Sequence, residues 1–212
     1  MPKDMRLRDG IKVVMIDLGN VLLFFSHQRM FSQMAKVLKC DVARVEEHLK
    51  DKGNLFQLEA GMVLAEVFLR DLNNSCSQSG GLDGDLDRSL RLAMSDIFSP
   101  NEAMIGLLDI LKEKGMKLIL VSNTSSIHFD FIKNRCPWLS VFDSLVLSYE
   151  VRAMKPDPAY YSEALRVAKE PSESCLFIDD IAENVAGAGR AGFQTHQYRN
   201  RDEFLSFLFQ ST

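Results

Sequence analysis

The chain has 212 residues, of which 46% are hydrophobic, 25% charged and 9% aromatic, with a formal net charge of −4. These proportions exclude a disordered tail, a disulfide-stapled miniprotein and a fibrous repeat, and they suit one large domain or a core with a smaller appendage. An acidic balance without a basic run excludes a nucleic-acid-binding face, and the longest apolar stretches, Val21–Phe25 and Leu118–Val121, fall far short of the roughly 20 residues that cross a bilayer.

Met1–Asp9 alternates basic and acidic residues and has no apolar stretch of the secretory kind. The first predicted strand is Ile11–Asp17, an apolar run that ends in a carboxylate. A long helical region follows, with amphipathic patterns over Phe31–Leu38, Val42–Lys50, Val63–Leu72 and Leu86–Phe98. The Ser/Gly/Asn-rich stretch Asn73–Gly84 reads as a loop at its outer edge. Asn101–Lys114 carries Met104, Leu107, Leu108 and Leu111 on one face, with Gly115 as the helix stop.

Strands are then predicted over Lys117–Ser122, Ser144–Leu147, Cys175–Ile178 and Gln194–Tyr198, with helices over Pro158–Ala168 and Asn184–Ala191. Most of these strands have few polar residues on either face, as expected of a parallel sheet covered on both sides. Strand–helix alternation therefore predicts an α/β fold, a doubly wound parallel sheet of the Rossmann-like kind, with a helical cap inserted after the first strand. The expected division is a core of residues 1–24 and 96–212 and a cap of residues 25–95. The C-terminal Phe204–Phe209 segment could be an interface or packed core, leaving a monomer or a homodimer open. Cys40, Cys76, Cys136 and Cys175 are widely spaced and form no CxxC, which suits reduced thiols in the cytoplasm.

Ligands of a parallel α/β sheet bind at the carboxyl ends of its strands. Those ends carry Asp17-Leu18-Gly19-Asn20, Ser122-Asn123-Thr124 and Asp179-Asp180, and Lys155-Pro156 precedes a helix starting near Pro158. Any one of these is an ordinary turn or cap. Together they collect three carboxylates, an amine, a hydroxyl and an amide at one edge. Crowded acids raise one another's pKa, a conflict that a hard divalent cation such as Mg²⁺ resolves. The lysine then points to an anionic substrate, phosphate being the obvious one.

At this point the chain resembles the haloacid dehalogenase superfamily of phosphohydrolases. An apolar strand closing on Asp17, Ile119-Leu120-Val121-Ser122-Asn123, Lys155-Pro156, and Phe177-Ile178-Asp179-Asp180 with Asn184 are similar to its four motifs, in order, across Asp17 to Gly192. Asp-Leu-Gly-Asn-Val in the first motif resembles bacterial sugar-phosphate phosphatases of the glucose 1-phosphate type. The phosphatase domain of soluble epoxide hydrolase is a more distant likeness. Leu58-Glu59-Ala60-Gly61 resembles the cap turn that often faces the substrate.

The resemblance implies a Mg²⁺-dependent phosphatase of small phosphorylated metabolites. Asp17 is the implied nucleophile, forming an aspartyl-phosphate. Asp17, the carbonyl of Gly19 and Asp180 are the implied metal ligands, with Asp179 binding directly or through water. Ser122 and the Asn123 amide are expected to hold phosphoryl oxygens, Lys155 to neutralise charge, and Glu59 to touch the substrate.

Gly19 departs from the family pattern, which usually has there a second aspartate that protonates the leaving group. General acid catalysis is worth about 10²–10⁴-fold, so its loss favours substrates with good leaving groups, such as anomeric phosphates. His27 and Glu59 are the candidates to supply a proton from the cap, although Ser26 as an N-cap would explain His27 without any function. Asn20 is expected to shape the turn. His48, His128 and His196 form no zinc-binding spacing, and Trp138 reads as a packing anchor.

Gly19 also keeps open a non-catalytic binder of phosphorylated metabolites and does not exclude a 2-haloacid dehalogenase, whereas it counts against a phosphomutase, which needs the acid/base aspartate. The Asp179-Asp180 pair speaks against the dehalogenase, because it would repel a carboxylate substrate.

Overall fold

The structure, a computed structural model, describes residues 5–77 and 81–211. Nine strands run in order as β1 (Met5–Leu7), β2 (Val13–Asp17), β3 (Leu23–Phe25), β4 (Phe98–Pro100), β5 (Lys117–Ser122), β6 (Ser144–Leu147), β7 (Cys175–Asp179), β8 (Gln194–Gln197) and β9 (Phe209–Ser211). Among them lie helices α1 (His27–Leu38), α2 (Val42–Lys50), α3 (Asn54–Glu59), α4 (Ala65–Cys76), α5 (Gly84–Ser95), α6 (Glu102–Glu113), α7 (Ser126–Lys133), α8 (Ser148–Val151), α9 (Pro158–Ala168), α10 (Ala182–Arg190) and α11 (Arg201–Leu208).

The central sheet has five parallel strands in the order β6-β5-β2-β7-β8. Successive side chains of a strand point to opposite faces, and β2 shows the consequence. Val14 and Ile16 pack with Leu107, Leu111, Phe204 and Leu208, whereas Val13 and Met15 pack with Tyr160, Tyr161 and Ala188. Both faces are thus dry, and every residue of β2 and β7 is buried, including the terminal Asp17 and Asp179. The Phe204–Phe209 segment resolves into α11 and β9, whose Phe204, Leu208 and Phe209 sit in the core rather than on a surface.

The chain leaves the core through β3 and returns through β4, two short strands paired antiparallel, Leu23 opposite Pro100 and Phe25 opposite Phe98. The predicted helix through Phe98 therefore ends at Ser95. Between these strands α1–α5 pack around a cluster of their own that includes Met30, Met34, Leu69, Leu72 and Met94. One core residue, Ile127 of α7, joins this cluster, and the buried Ser95 hydroxyl donates to its carbonyl at 3.0 Å. Ser26 caps α1 through the Arg29 N–H at 3.2 Å, as its sequence position predicts. The loop expected over Asn73–Gly84 is shorter than that: Asn73–Cys76 continue α4 with Asn73 and Cys76 buried, Gly84 opens α5, and residues 78–80 lie outside the described residues. All four cysteines are free thiols, Trp138 packs partly buried against the core, and among the described residues no helix is long and apolar enough to cross a membrane.

Candidate active site

Strand register assembles the site. Asp17 pairs with Val121, one residue short of Ser122, while Ile16 pairs with Ile178, so Asp179 lies level with Asp17 on the other side. The three strands that carry these groups are adjacent, with β2 in the middle, and their carboxyl ends form the crevice where the strand order reverses.

Lys155 completes the cluster from the loop before α9. Its ammonium donates to Asp17 Oδ1 and to Asp179 Oδ2, each at 2.6 Å, and its side chain is 1% exposed. Burial works against the ammonium, but Asp17 and Asp179 outweigh it and hold the Lys155 pKa above its ordinary value. Burial, opposed by Lys155 but reinforced by Asp179 and Asp180, pushes the Asp17 carboxyl up to about 7. Oxygens of Asp17, Asp179 and Asp180 lie within 4.8 Å of one another. Three carboxylates face one ammonium, so the cluster carries an excess of negative charge, and its all-oxygen donor set suits a hard cation.

Asp179 is braced on its other sides by the Asn184 amide at 3.0 and 3.1 Å and by the Ile181 N–H at 2.9 Å. Asp180 accepts from the Asn20 amide at 3.0 Å. Asn20 thus does more than shape its turn. Its left-handed backbone (φ 53°) aims the side chain across the crevice at Asp180. Gly19, next to Asn20, forms an isolated bridge to Leu23.

Asn123 lines the cavity, and its side chain also has partners within the fold: Nδ2 donates to the Lys155 carbonyl at 2.9 Å and Oδ1 accepts the Lys155 N–H at 2.9 Å. This two-point clamp makes Asn123 the residue that seats the lysine. Ser122, buried at the end of β5, and Thr124 line the crevice beside it.

A cavity of about 60 Å³ opens over this edge. Gly19, Ser122 and Thr124 line it from the core, Phe25 and Phe98 from the two connecting strands, and His27 and Glu59 from the helical layer. Glu59 ends α3 and is held there by its backbone: its carbonyl accepts from Ser148 Oγ at 2.6 Å, and the same Oγ accepts the Thr124 N–H at 2.9 Å. Gly61, at φ 65°, abuts the Tyr149 carbonyl so closely that a Cβ has no room. With no opposing cation, burial pushes the Glu59 carboxyl up to about 7.

Sequence reasoning missed Ser148 and His128. His128 sits buried in the first turn of α7, edge-on to Phe98 at 5.5 Å; it lines this cavity, and its buried Nε2 has no hydrogen-bond partner. Burial, then His27, lowers its pKa from 6.5 to about 4, against a small opposite pull from the Met94 carbonyl. His128 is therefore neutral when folded but takes a proton near 6.5 when unfolded. The stability this contributes is complete above about 6.5 and is lost as the pH falls toward 4. Between pH 7 and 5 it amounts to about 2 kcal/mol. Denaturant titrations should show that loss in the wild type and not in His128→Asn.

Comparison with known proteins agrees with this geometry. The profile of the haloacid dehalogenase-like hydrolases matches residues 11–192. D-ribitol-5-phosphate phosphatase of Bacteroides thetaiotaomicron is 23% identical over 198 residues, 90% of this chain and 93% of the relative. A crystal structure of a HAD family enzyme from the same organism, in complex with magnesium and inorganic phosphate, superposes with a TM-score of 0.77 at 27% identity, covering 89% of this chain and 94% of that one. The 2-haloacid dehalogenase of Pseudomonas syringae pv. Tomato shares the fold, with a TM-score of 0.65 at 19% identity over 87% of this chain and 85% of that one. A match that runs from the first central strand to the glycine after α10 takes in every residue of the acidic edge, and the chain belongs to the haloacid dehalogenase-like hydrolase family.

Proposed function

We propose that this chain is a Mg²⁺-dependent phosphatase of small phosphorylated metabolites, foremost sugar or polyol phosphates, that works through an aspartyl-phosphate on Asp17. The observation that carries this reading is the buried lysine bridging Asp17 and Asp179, with Asp180 completing an oxygen cluster within 4.8 Å. A site for a carboxylate substrate has no use for that excess of negative charge, whereas a metal–phosphate pair requires it. The magnesium-and-phosphate complex of the HAD family structure and the ribitol 5-phosphate activity of the 23% identical relative support the same choice.

In this reading Asp17, the Gly19 carbonyl and Asp180 hold the ion, with Asp179 bound directly or through a water. When bound, the ion neutralises the clustered acids and draws charge from the phosphoryl oxygens. Asp17 attacks phosphorus in line, and Ser122 donates to a phosphoryl oxygen. Lys155, seated by Asn123, stays protonated and offsets charge on both nucleophile and phosphoryl group. Water then opens the aspartyl-phosphate. Residues 25–95 act as the cap that shuts water out of the site, and the enzyme works on metabolites of the cytoplasm.

p-Nitrophenyl phosphate with and without Mg²⁺ tests the reading. Turnover should require the ion, and Asp180→Ala should raise the half-saturating Mg²⁺ concentration at least about tenfold. An unchanged requirement removes Asp180 from the metal site. Metal-free halide release from 2-haloacids replaces the reading with dehalogenation. A screen of sugar and polyol phosphates then ranks the substrates.

A further inference from the structure

We propose that Glu59 is the general acid of phosphoryl transfer, delivering from the helical layer the proton that position 19 cannot. The proposal rests on the phosphatase reading above and concerns the leaving group alone.

Position 19 carries no acid, and a side chain there meets a close neighbour. A Cβ built on Gly19 lies 3.0 Å from Phe25 Cε1. The Phe25 ring sits against His27 and Phe98, with centroids at 5.1 and 6.3 Å, and would have to shift by a few tenths of an ångström to admit a side chain there. The family's usual place for a proton donor is thus a glycine crowded by an aromatic ring.

Glu59 borders the same cavity as Gly19 and Ser122. Its backbone is anchored to the core through Ser148 and through the close approach of Gly61 to Tyr149, so the carboxyl is carried on a rigid support rather than on a free loop. Among the described residues no cation pairs with it, and burial alone brings its pKa to about 7, suited to giving and taking a proton at neutral pH.

The other titratable groups on this cavity are not competing donors. His128 is neutral, its pKa near 4, and His27, on α1, is shifted down by burial and by Lys50. Across the site Lys155 is committed to Asp17 and Asp179.

The proton balance closes over two steps. As Asp17 takes the phosphoryl group and the P–O bond to the leaving group breaks, the Glu59 carboxyl gives its proton to that oxygen and the alcohol departs neutral. In the second step the Glu59 carboxylate takes a proton from water as the hydroxyl adds to phosphorus. Inorganic phosphate leaves and both side chains return to their starting forms.

The test compares two esters on the full chain with Mg²⁺. p-Nitrophenolate leaves without a proton, whereas the alkoxide of β-glycerophosphate needs one. In Glu59→Gln the ratio of kcat/KM for β-glycerophosphate to that for p-nitrophenyl phosphate should fall about 10²–10³-fold, and Glu59→Asp should recover part of it. A ratio is independent of how much of the variant folds. A ratio within threefold of wild type overturns the proposal, whether both rates drop or neither does. A wild-type chain that cleaves only the p-nitrophenyl ester also overturns it. Loss of both esters in the wild type refutes the phosphatase reading, and the proposal with it.

Discussion

Lys155→Met should cost about 3–5 kcal/mol of folding stability and abolish measurable turnover. The side chain is 1% exposed and touches two carboxylates at 2.6 Å, themselves 9% and 0% exposed. Removing the ammonium leaves Asp17 and Asp179 buried side by side with no cation, the arrangement that low dielectric penalises most. Methionine matches the stem in length and apolar character, so the loss measures charge rather than a cavity. Saturating Mg²⁺ should return much of the lost Tm, because the ion supplies the missing positive charge, but it should not return activity. Urea titrations with and without Mg²⁺, read beside p-nitrophenyl phosphate turnover, separate the two effects. A variant as stable as wild type without the ion would mean that the lysine does not hold the cluster together.

Local signals made most of this edge legible. An apolar strand with one polar residue at its end is readable from a handful of positions: Asp17, Ser122 and Asp179 end strands β2, β5 and β7, and Asp180 follows directly. Lys117–Ser122, Ser144–Leu147 and Pro158–Ala168 match the predicted bounds, because β-branched runs and Asp157-Pro158 capping are local as well. The side chains that brace the site are another matter. Asn20 reaches Asp180 across 160 residues, and Ser148 reaches Glu59 across 89. No spacing rule encodes such pairs; they exist because the sheet order brings distant strand ends together.

The same reason explains Asn123 and His128. An amide after Ser122 reads as a phosphate ligand, and only the fold shows that the Lys155 backbone lies within 2.9 Å of both its side-chain polar atoms. A histidine two residues into a helix reads as bland until burial and the unpartnered Nε2 set it apart. The short strands β3 and β4 were invisible for a thermodynamic reason: three residues each have no pattern, and their antiparallel pairing, Leu23 to Pro100 through Phe25 to Phe98, is set by the fold.

Asp17→Asn should lower turnover by about 10⁴-fold or more while leaving the fold as stable as wild type or more so. The two effects have one cause. Asp17 is buried in a cluster of three carboxylates and one ammonium, so its negative charge is a burden to the folded chain even with Lys155 2.6 Å away. Asparagine keeps the shape, keeps an oxygen for Lys155 to donate to, and removes one of the three charges, which relieves repulsion from Asp179 and Asp180. It also removes the only atom at this position able to form a bond to phosphorus, and an amide oxygen is too weak a nucleophile to replace it. Melting curves without Mg²⁺ should therefore show Tm unchanged or raised, whereas single-turnover mixing with labelled substrate should trap phosphoprotein in the wild type and none in the variant. If the variant keeps more than a few per cent of wild-type turnover, water attacks phosphorus directly and Asp17 is a metal ligand alone. A variant that loses both activity and several degrees of Tm would mean that the carboxylate at position 17 is needed to hold Lys155, and the charge balance drawn for the cluster would be wrong.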